Sequence, residues 1–299
     1  MEGLVRLSFY AFAASSIALA AATVCYLIFA FGWIRNRGTA LAGAGGPTVM
    51  IDNGSSFTES MGRFATMLAW FAVAFQGISI ALRSIAAGRL PLSNMYEFSK
   101  TFIFIVLLVY LIFERWYGVK QVGTVVLPLA LAMAGYVWAL PTRLREVDPL
   151  VPALQNIPLM TIHVSMAIIA YSTFAVSFAA AVLYLIAKDR NISWLPKPAL
   201  LDDLAYRAVT IGFPAMTLVL ILGSVWAYRA WGTYWQWDPK ETAALFTWLI
   251  YGVYLHTRSL RGWRGTRSAV VLLVGFAAVM FTYYGNYFFG GLHAYGGVR

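Results

Sequence analysis

The sequence has few charged residues, one cysteine and three histidines in 299 residues. Charged residues make up 11% and hydrophobic residues 61%, whereas about a quarter of a typical soluble domain is charged. This composition excludes an ordinary soluble domain and predicts an all-α, polytopic integral membrane helix bundle. The single cysteine, Cys25, lies in an apolar run, which excludes an intramolecular disulfide and Cys-x-x-Cys chemistry within this chain.

Apolar runs long enough to cross a bilayer number about eight. The formal charge of +10 does not predict a nucleic-acid partner, because basic residues of membrane proteins set topology and contact anionic membrane lipids. The predicted transmembrane helices lie at roughly 9–33, 64–82, 102–118, 122–140, 160–187, 209–228, 241–257 and 268–288.

The orientation of these helices is predicted from the short loops between them. The strongest signal is "RSLRGWRGTR" after the seventh helix, with four arginines and no acid. Basic loops stay on the inner side, so the 83–101 loop and the C-terminal tail are predicted to be extracytoplasmic. We expect two parts: residues 1–60, an N-terminal helix with an inner loop, and residues 61–299, the main membrane domain.

Aromatic residues are concentrated in "WGTYWQWDPKE" and the segment just before it. Four of the eleven tryptophans fall within twelve residues, on the predicted outer face. "DPKE" also has the pattern of a helix start, with an N-cap, a proline at the first position and a capping-box glutamate. Helix capping explains the last four residues but not the aromatic ones, which favour a planar ligand over a membrane belt. The expected binding loop, 226–241, contributes Trp226, Trp231, Tyr234, Trp235, Trp237 and Asp238.

The three histidines suggest the ligand. His163 starts the fifth predicted helix and His293 follows the eighth, both on the outer side with the aromatic loop. A single histidine at a helix end is usually a packing residue, but two on this face favour axial ligation of a haem iron. His256 lies about 27 Å along the seventh helix from Asp238, at 1.5 Å per residue. It is either an inner haem ligand or a histidine that reaches the inner interface beside Arg258.

The stretch "WAYRAWGTYWQWDPKETAALFTWLIYGVYLHTR" strongly resembles the tryptophan-rich (WWD) signature of the cytochrome c assembly, or haem-handling, superfamily. Within that superfamily it is similar to the CcsA/ResC-type subunit of the System II cytochrome c synthase. Three further segments resemble family motifs in the same order: "RLPLSNMYEFSK", "LMTIHVSMAIIAY" and "FGGLHAYG". The resemblance covers roughly residues 60–296.

The resemblance implies that haem b is carried as a substrate and is held outside between His163 and His293, over the tryptophans and Asp238. His256 would bind haem in transit together with a histidine of a ResB-like membrane subunit. Apocytochrome c would supply Cys-x-x-Cys-His, and a thioredoxin-like protein would keep its thiols reduced. The implied location is the bacterial plasma membrane, or the thylakoid in a plastid homologue. The candidate partners for the haem propionates are Arg83, Arg89, Arg143, Arg145, Arg229 and Lys240.

Two other functions remain open at this point. A b-type electron-transfer protein would carry histidine pairs at matching depth inside helices, which this sequence does not show. A secondary transporter would show inverted repeats or broken helices with charges at the midplane. We predict instead a subunit of a holocytochrome c synthase that transports and presents haem.

Overall fold

A computed structural model describes residues 2–41, 53–190, 192, 194–260, 263–285 and 290–293. Within these ranges the chain forms eight α-helices, short 3₁₀ turns and no β-strand, which confirms the predicted all-α class. The helices are α1 (Glu2–Leu41), α2 (Asn53–Ala87), α3 (Met95–Tyr117), α4 (Gly123–Ala139), α5 (Ile157–Ala187), α6 (Pro198–Trp231), α7 (Pro239–Arg258) and α8 (Thr266–Tyr284).

Seven of these helices, all except α7, are long and apolar enough to cross a membrane. Several helices extend beyond the predicted apolar runs, because polar residues continue the helical backbone on either side of the bilayer. Helix α7 has 20 residues, about 30 Å of helix, so length is not what separates it from the others. It carries Lys240, Glu241, His256 and Arg258 and contains several threonines and tyrosines, which lower its apolar character.

Helix α5 lies at the centre of the bundle and packs against α6, α8 and α3, while α1 packs along α2 and α7 packs beside α8 and α6. Helix α5 is apolar on all sides and mostly buried, as expected for a helix inside a bundle. Small residues allow the helices to approach closely. A β-carbon at Gly212 of α6, for example, would collide with Thr173 and Phe174 of α5.

Candidate functional site

A large cavity lies at one end of the bundle, where the start of α3, the N-terminal part of α5, the end of α6 and the start of α7 converge. Its empty volume is about 1160 Å³, including its open mouth. Both His163 and His293 line it, together with Trp226, Trp235 and Lys240. Two histidines that are 130 positions apart in the sequence thus share one cavity, as the sequence predicted.

His163 lies in the second turn of α5 and faces α6. Its ring stacks on Trp226 with centroids 6.0 Å apart and planes at 17°. The Nδ1 atom of His163 is buried without a hydrogen-bond partner among the described residues. Buried polar atoms of proteins are nearly always paired, so this nitrogen is available to a ligand in the cavity.

His293 is held by Asp238. Its Nδ1 lies 2.9 Å from Asp238 Oδ1, and the backbone N–H of Leu292 donates to Asp238 Oδ2 at 2.7 Å. An ionised carboxylate only accepts hydrogen bonds, so the imidazole of His293 donates from Nδ1 to Asp238. A carboxylate that fixes the tautomer and orientation of a histidine is the usual outer-shell arrangement around a bound metal.

The pKa values of this pair agree with a neutral imidazole beside a carboxylate. Burial lowers the pKa of His293 below its ordinary value of 6.5 and outweighs the opposite effect of Asp238, so the ring is neutral at pH 7. Burial alone would raise the pKa of Asp238, but hydrogen bonds from His293, Lys240 and Leu292 lower it to about 2. The stability that this carboxylate contributes is therefore present above its ordinary pKa of 3.8 and is lost only as the pH falls towards 2.

Asp238 also begins α7, as the sequence predicted. Its side chain accepts from the backbone N–H of Lys240 at 3.0 Å, and Glu241 accepts from the N–H of Asp238, which completes a capping box after Pro239. The capping and ligand interpretations of "DPKE" are thus compatible, because one carboxylate both starts the helix and holds His293. A single residue couples the orientation of α7 to the position of a cavity histidine.

The loop in the structure is shorter than the predicted aromatic loop 226–241. Trp226 and Trp231 belong to α6, which continues to Trp231 before Gly232 ends it in the left-handed region, with φ of 80°. The loop covers 232–238 and the capping residues start α7. The length of α6 was underestimated because the tryptophans and Arg229 end the apolar run without ending the helix.

The aromatic residues do not form one flat platform. Trp226 is buried, donates from Nε1 to the Ala153 carbonyl at 2.9 Å and contacts both histidines, with its ring 5.4 Å from that of His293. Trp231 packs edge-on against Trp226 and His293. Of the five predicted aromatic residues, only Trp226 and Trp235 line the cavity in the described part of the chain.

Tyr234 and Trp237 lie on the surface, with 57% and 69% of each exposed. Tyr234 stacks on Tyr228 of α6, and Trp237 packs edge-on against Trp235. Trp237 is the only non-glycine residue with positive φ among those described, at 56°. A bulky residue in this region is strained, and such strain is often found at functional sites. The aromatic cluster therefore has a buried part around the histidines and an exposed part on the surface.

Of the six candidate cations, only Lys240 lines the cavity among the described residues. Arg83 and Arg89 instead pair with the buried carboxylate of Glu97, at 2.8 and 3.1 Å. Arg145 lies over the rings of Phe9 and Trp138. Arg143 and Arg229 are exposed away from the cavity.

Glu97 organises one wall of the cavity, a role that the motif alone did not reveal. Besides the two arginines, it accepts hydrogen bonds from the backbone N–H and the hydroxyl of Ser93, at 3.0 and 2.7 Å. Arg83 also donates to the carbonyls of Arg145 and Glu146, at 2.6 and 2.8 Å. The carboxylate thus fastens the connection between α4 and α5 to residues 92–95, which line the cavity.

Two glycines make the positions of the histidines possible. A β-carbon at Gly223 of α6 would lie 2.9 Å from Cε1 of His163, and one at Gly291 would collide with Asp238. Both contacts are closer than those of real β-carbons. The sequence signal was the pair of glycines in "FGGLH" beside His293, but only the folded chain shows which group approaches.

His256 lies at the opposite end of α7 from Asp238, as predicted, and outside the cavity. Its side chain is exposed on the surface of the bundle. On the same face of α7 lie Phe246, Leu249 and Val253, and Leu260 follows just after the helix; each of the four is at least 43% exposed. This stripe recurs at intervals of three and four residues, which is the spacing of a helix–helix contact face.

Replacing Asp238 with asparagine is expected to weaken ligand binding through His293 while leaving α7 capped, because asparagine is as good an N-cap as aspartate. The amide nitrogen cannot accept the Leu292 N–H, and the imidazole loses its anionic partner. Loss of such an outer-shell group typically costs about 10- to 100-fold in metal affinity. Haem titration of the purified protein measures this loss.

The control for Asp238→Asn is Asp203→Asn, which removes an exposed carboxylate paired with Arg207 at 2.7 Å. It should leave the haem affinity unchanged. Equal affinities of wild type and both variants would contradict an orienting role for Asp238.

Fold and site together define an integral membrane helix bundle with an imidazole-lined cavity at one end. The family of cytochrome C assembly proteins matches residues 92–293, and the chain belongs to this family. The match covers the residues that form the cavity. The predicted resemblance to CcsA-type proteins is confirmed by the relatives described next.

Three relatives named "Cytochrome c biogenesis protein CcsA" show the extent of the similarity. The protein of Chlamydomonas reinhardtii is 40% identical over 70% of this chain and 62% of its own length. That of Guillardia theta is 37% identical over 79% and 85% of the two chains, and that of Synechococcus elongatus 34% over 73% and 82%. This chain therefore spans less than two thirds of the algal protein from Chlamydomonas.

A solved structure named "Cytochrome c Heme Lyase CcmF" has a similar fold, with a TM-score of 0.66 over 94% of this chain. The sequence identity is 16%, and this chain spans 46% of that protein. At this identity the similarity concerns the fold alone. The two proteins share a helical membrane architecture.

Proposed function

We propose that this chain holds haem between His163 and His293 and presents it at the extracytoplasmic face for covalent attachment to apocytochrome c. Membership in a cytochrome c assembly family gives the general role, which is cytochrome c biogenesis. The observation that carries the specific proposal is the placement of both imidazoles on one cavity, where His163 Nδ1 has no hydrogen-bond partner within the described part of the chain and Asp238 orients His293.

The chemistry of the cavity fits haem. Its empty volume of about 1160 Å³ includes the open space at its mouth. Its walls are mostly aliphatic and aromatic, which suits a porphyrin, and neutral imidazole is a common ligand of haem iron. Lys240 provides a positive charge for a haem carboxylate. Haem b is the expected form, because its free vinyl groups are needed for the attachment.

The covalent step uses thiols of the substrate. Cys25, the single cysteine, lies in α1 and does not line the cavity. In the proposed reaction, each thiol of the apocytochrome Cys-x-x-Cys-His segment adds across a vinyl double bond. A carbon–sulfur bond forms and the thiol hydrogen goes to the neighbouring carbon, so the step consumes no electrons. A thioredoxin-like reductant would keep the thiols reduced, and bis-imidazole ligation would help to keep the iron ferrous.

The stripe on α7 suggests where haem would enter. We assign Phe246, Leu249, Val253 and His256 to the contact with a ResB-like membrane subunit, whose own histidine would complete the transit site. An ionisable side chain on a membrane-facing surface is costly unless it is paired, and His256 is the exposed ionisable group of this stripe. We infer an extracytoplasmic position for the large cavity, because the arginine-rich segment after α7 lies at the opposite end of the bundle and basic loops stay on the cytoplasmic side.

His256→Ala is expected to reduce haem arrival at the outer cavity at least tenfold when the complex is purified from cells, while leaving the capacity of the cavity for added haem intact. Pyridine haemochrome assays before and after haem addition separate the two quantities. Val270→Ala, at an exposed position of α8 outside the stripe, serves as the matched control and should load normally. Normal loading of His256→Ala would refute the transit role.

The proposal as a whole is tested by the spectrum of the wild-type complex. Two imidazole ligands predict a six-coordinate, low-spin haem in both oxidation states. Resonance Raman spectroscopy and magnetic circular dichroism distinguish this species from a five-coordinate or thiolate-ligated haem. A high-spin, five-coordinate spectrum in the purified complex would contradict ligation by the histidine pair.

A further inference from the structure

A second cavity lies at the opposite end of the bundle from His163 and His293. It is formed by the C-terminal half of α1, the start of α2, the turn between α3 and α4, and the segment before α6. Its empty volume is about 770 Å³, including its opening. The residues that line it are Phe29, Glu59, Arg63, Gly118, Lys120, Gln121 and Trp194. Nothing in the proposed haem site uses them.

Two buried polar atoms of lining residues lack partners among the described residues. They are the acceptor Gln121 Oε1 and the donor Trp194 Nε1. The two residues are already joined, because Gln121 Nε2 donates to the Trp194 carbonyl at 2.7 Å, and the indole packs edge-on against Phe29. Both side chains are therefore held in place, each with one unsatisfied group. A buried polar group without a partner is destabilising, so a ligand that pairs with both groups is favoured.

The charges around this cavity are of both signs. Lys120 and Arg63 are cationic and Glu59 is anionic, and none of the three forms an ion pair within the described residues. Arg63 donates to the hydroxyl of Ser60 at 3.2 Å, which leaves its other N–H groups available. The cavity thus offers positive charge and an indole N–H to an anion, and a carboxylate and an amide oxygen to a hydrogen-bond donor.

The cavity lies at the level of the membrane surface. Phe29 is near the end of the apolar span Glu2–Gly32, and Glu59 is near the start of the span Phe57–Ala87. Gly118 follows the span Met95–Tyr117 and Lys120 starts the next one. Four spans therefore place the lining residues at one boundary of the bilayer, where lipid phosphates are found.

We propose that this cavity binds the headgroup of a glycerophospholipid. The phosphate would contact Arg63, Lys120 and the Trp194 N–H. The hydroxyl or ammonium group beyond the phosphate would donate to Gln121 Oε1 and Glu59. Basic pockets between helices on the inner side of membrane proteins bind such headgroups. This inference goes beyond the proposed function and is independent of haem.

Native mass spectrometry of the full chain, released from detergent, tests the proposal. Wild type should retain a phospholipid adduct, and the double variant Arg63→Gln/Lys120→Gln should lose at least about tenfold in occupancy, since each basic residue near the surface contributes roughly fivefold. The matched control is Lys188→Gln/Arg207→Gln, which removes two cations elsewhere at the same end of the bundle and should keep the adduct. Trp194→Phe preserves the ring and removes the N–H, and should lower the occupancy severalfold.

A second measurement does not depend on the folding of any variant. Wild-type protein is exchanged into nanodiscs of phosphatidylglycerol or of a phosphate-free galactolipid, and the mass of the retained adduct is read after release. Retention of phosphatidylglycerol alone supports the site. Equal retention of the galactolipid, or equal occupancy in all variants, would each overturn it.

Discussion

Alanine in place of His163 or His293 is expected to remove haem from the cavity that both histidines line and to abolish cytochrome c maturation. Each substitution deletes one of the two imidazoles that line the cavity, and the described residues of its walls offer no further imidazole. The loss should exceed the roughly 100-fold that removal of an outer-shell partner causes. Haem content of the purified complex and the yield of holocytochrome c measure it directly.

Added imidazole should restore part of the haem binding in both variants, because a small ligand can occupy the space of the deleted ring. A merely structural role for either histidine would not give this rescue. The matched control is Ile162→Ala, which shortens an exposed side chain next to His163 on α5 and should bind haem like wild type. Wild-type haem content and maturation in both histidine variants would overturn the assignment of the site.

The sequence predicted the positions of two histidines, because position along a membrane helix follows from counting residues. His163 and His256 are fixed by apolar runs and by the rise of the helix, and both lie where the counting placed them. The capping box was predictable for the same reason, since Asp238, Pro239 and Glu241 interact within one helical turn. Local rules were sufficient for these residues.

The contacts that build the site were not predictable, because they join distant segments. The hydrogen bond between Asp238 and His293 links residues 55 positions apart. Trp226 falls in both the predicted helix 209–228 and the predicted loop 226–241, and its contacts with both histidines depend on how α5 and α6 pack. Composition and local pattern carry no information on that packing, so a platform of tryptophans was a reasonable but incorrect picture.

Apolar character alone also describes helix α7 poorly, because its polar residues face the interior of the bundle. Thr247, Tyr251 and Tyr254 are buried on the face that packs into the bundle, and Thr247 contacts the hydroxyl of Thr282 at 3.0 Å. The opposite face carries the exposed apolar stripe that ends near His256. A soluble protein would show the reverse arrangement. In a membrane protein the exposed apolar face meets lipid or a partner helix, so the polar residues of α7 are turned into the bundle and reduce its overall apolar character.

Replacing Glu97 with glutamine is expected to destabilise the protein strongly and to disorganise one wall of the haem cavity. Glu97 is buried and is the carboxylate shared by Arg83 and Arg89, so its neutralisation leaves two cations without their counter-ion. Breaking a buried ion pair from one side costs about 3–5 kcal/mol, which corresponds to a fall of roughly 10 °C in the unfolding midpoint for a chain of this size. Thermal unfolding of the purified protein, followed by loss of helical circular dichroism or by aggregation, measures the change.

The control for Glu97→Gln is again Asp203→Asn, because its ion pair with Arg207 is largely exposed and exposed pairs contribute about 0–1 kcal/mol. We expect that control to shift the midpoint by at most about 2 °C. Glu97→Gln should in addition lower haem affinity, because Ser93, Asn94 and Met95 line the cavity and are held through this carboxylate. Equal unfolding midpoints for the two variants would show that the arginines find other partners. The connection between α4 and α5 would then be fixed to the cavity wall by the remaining hydrogen bonds, such as that from Asn94 to the Leu144 carbonyl.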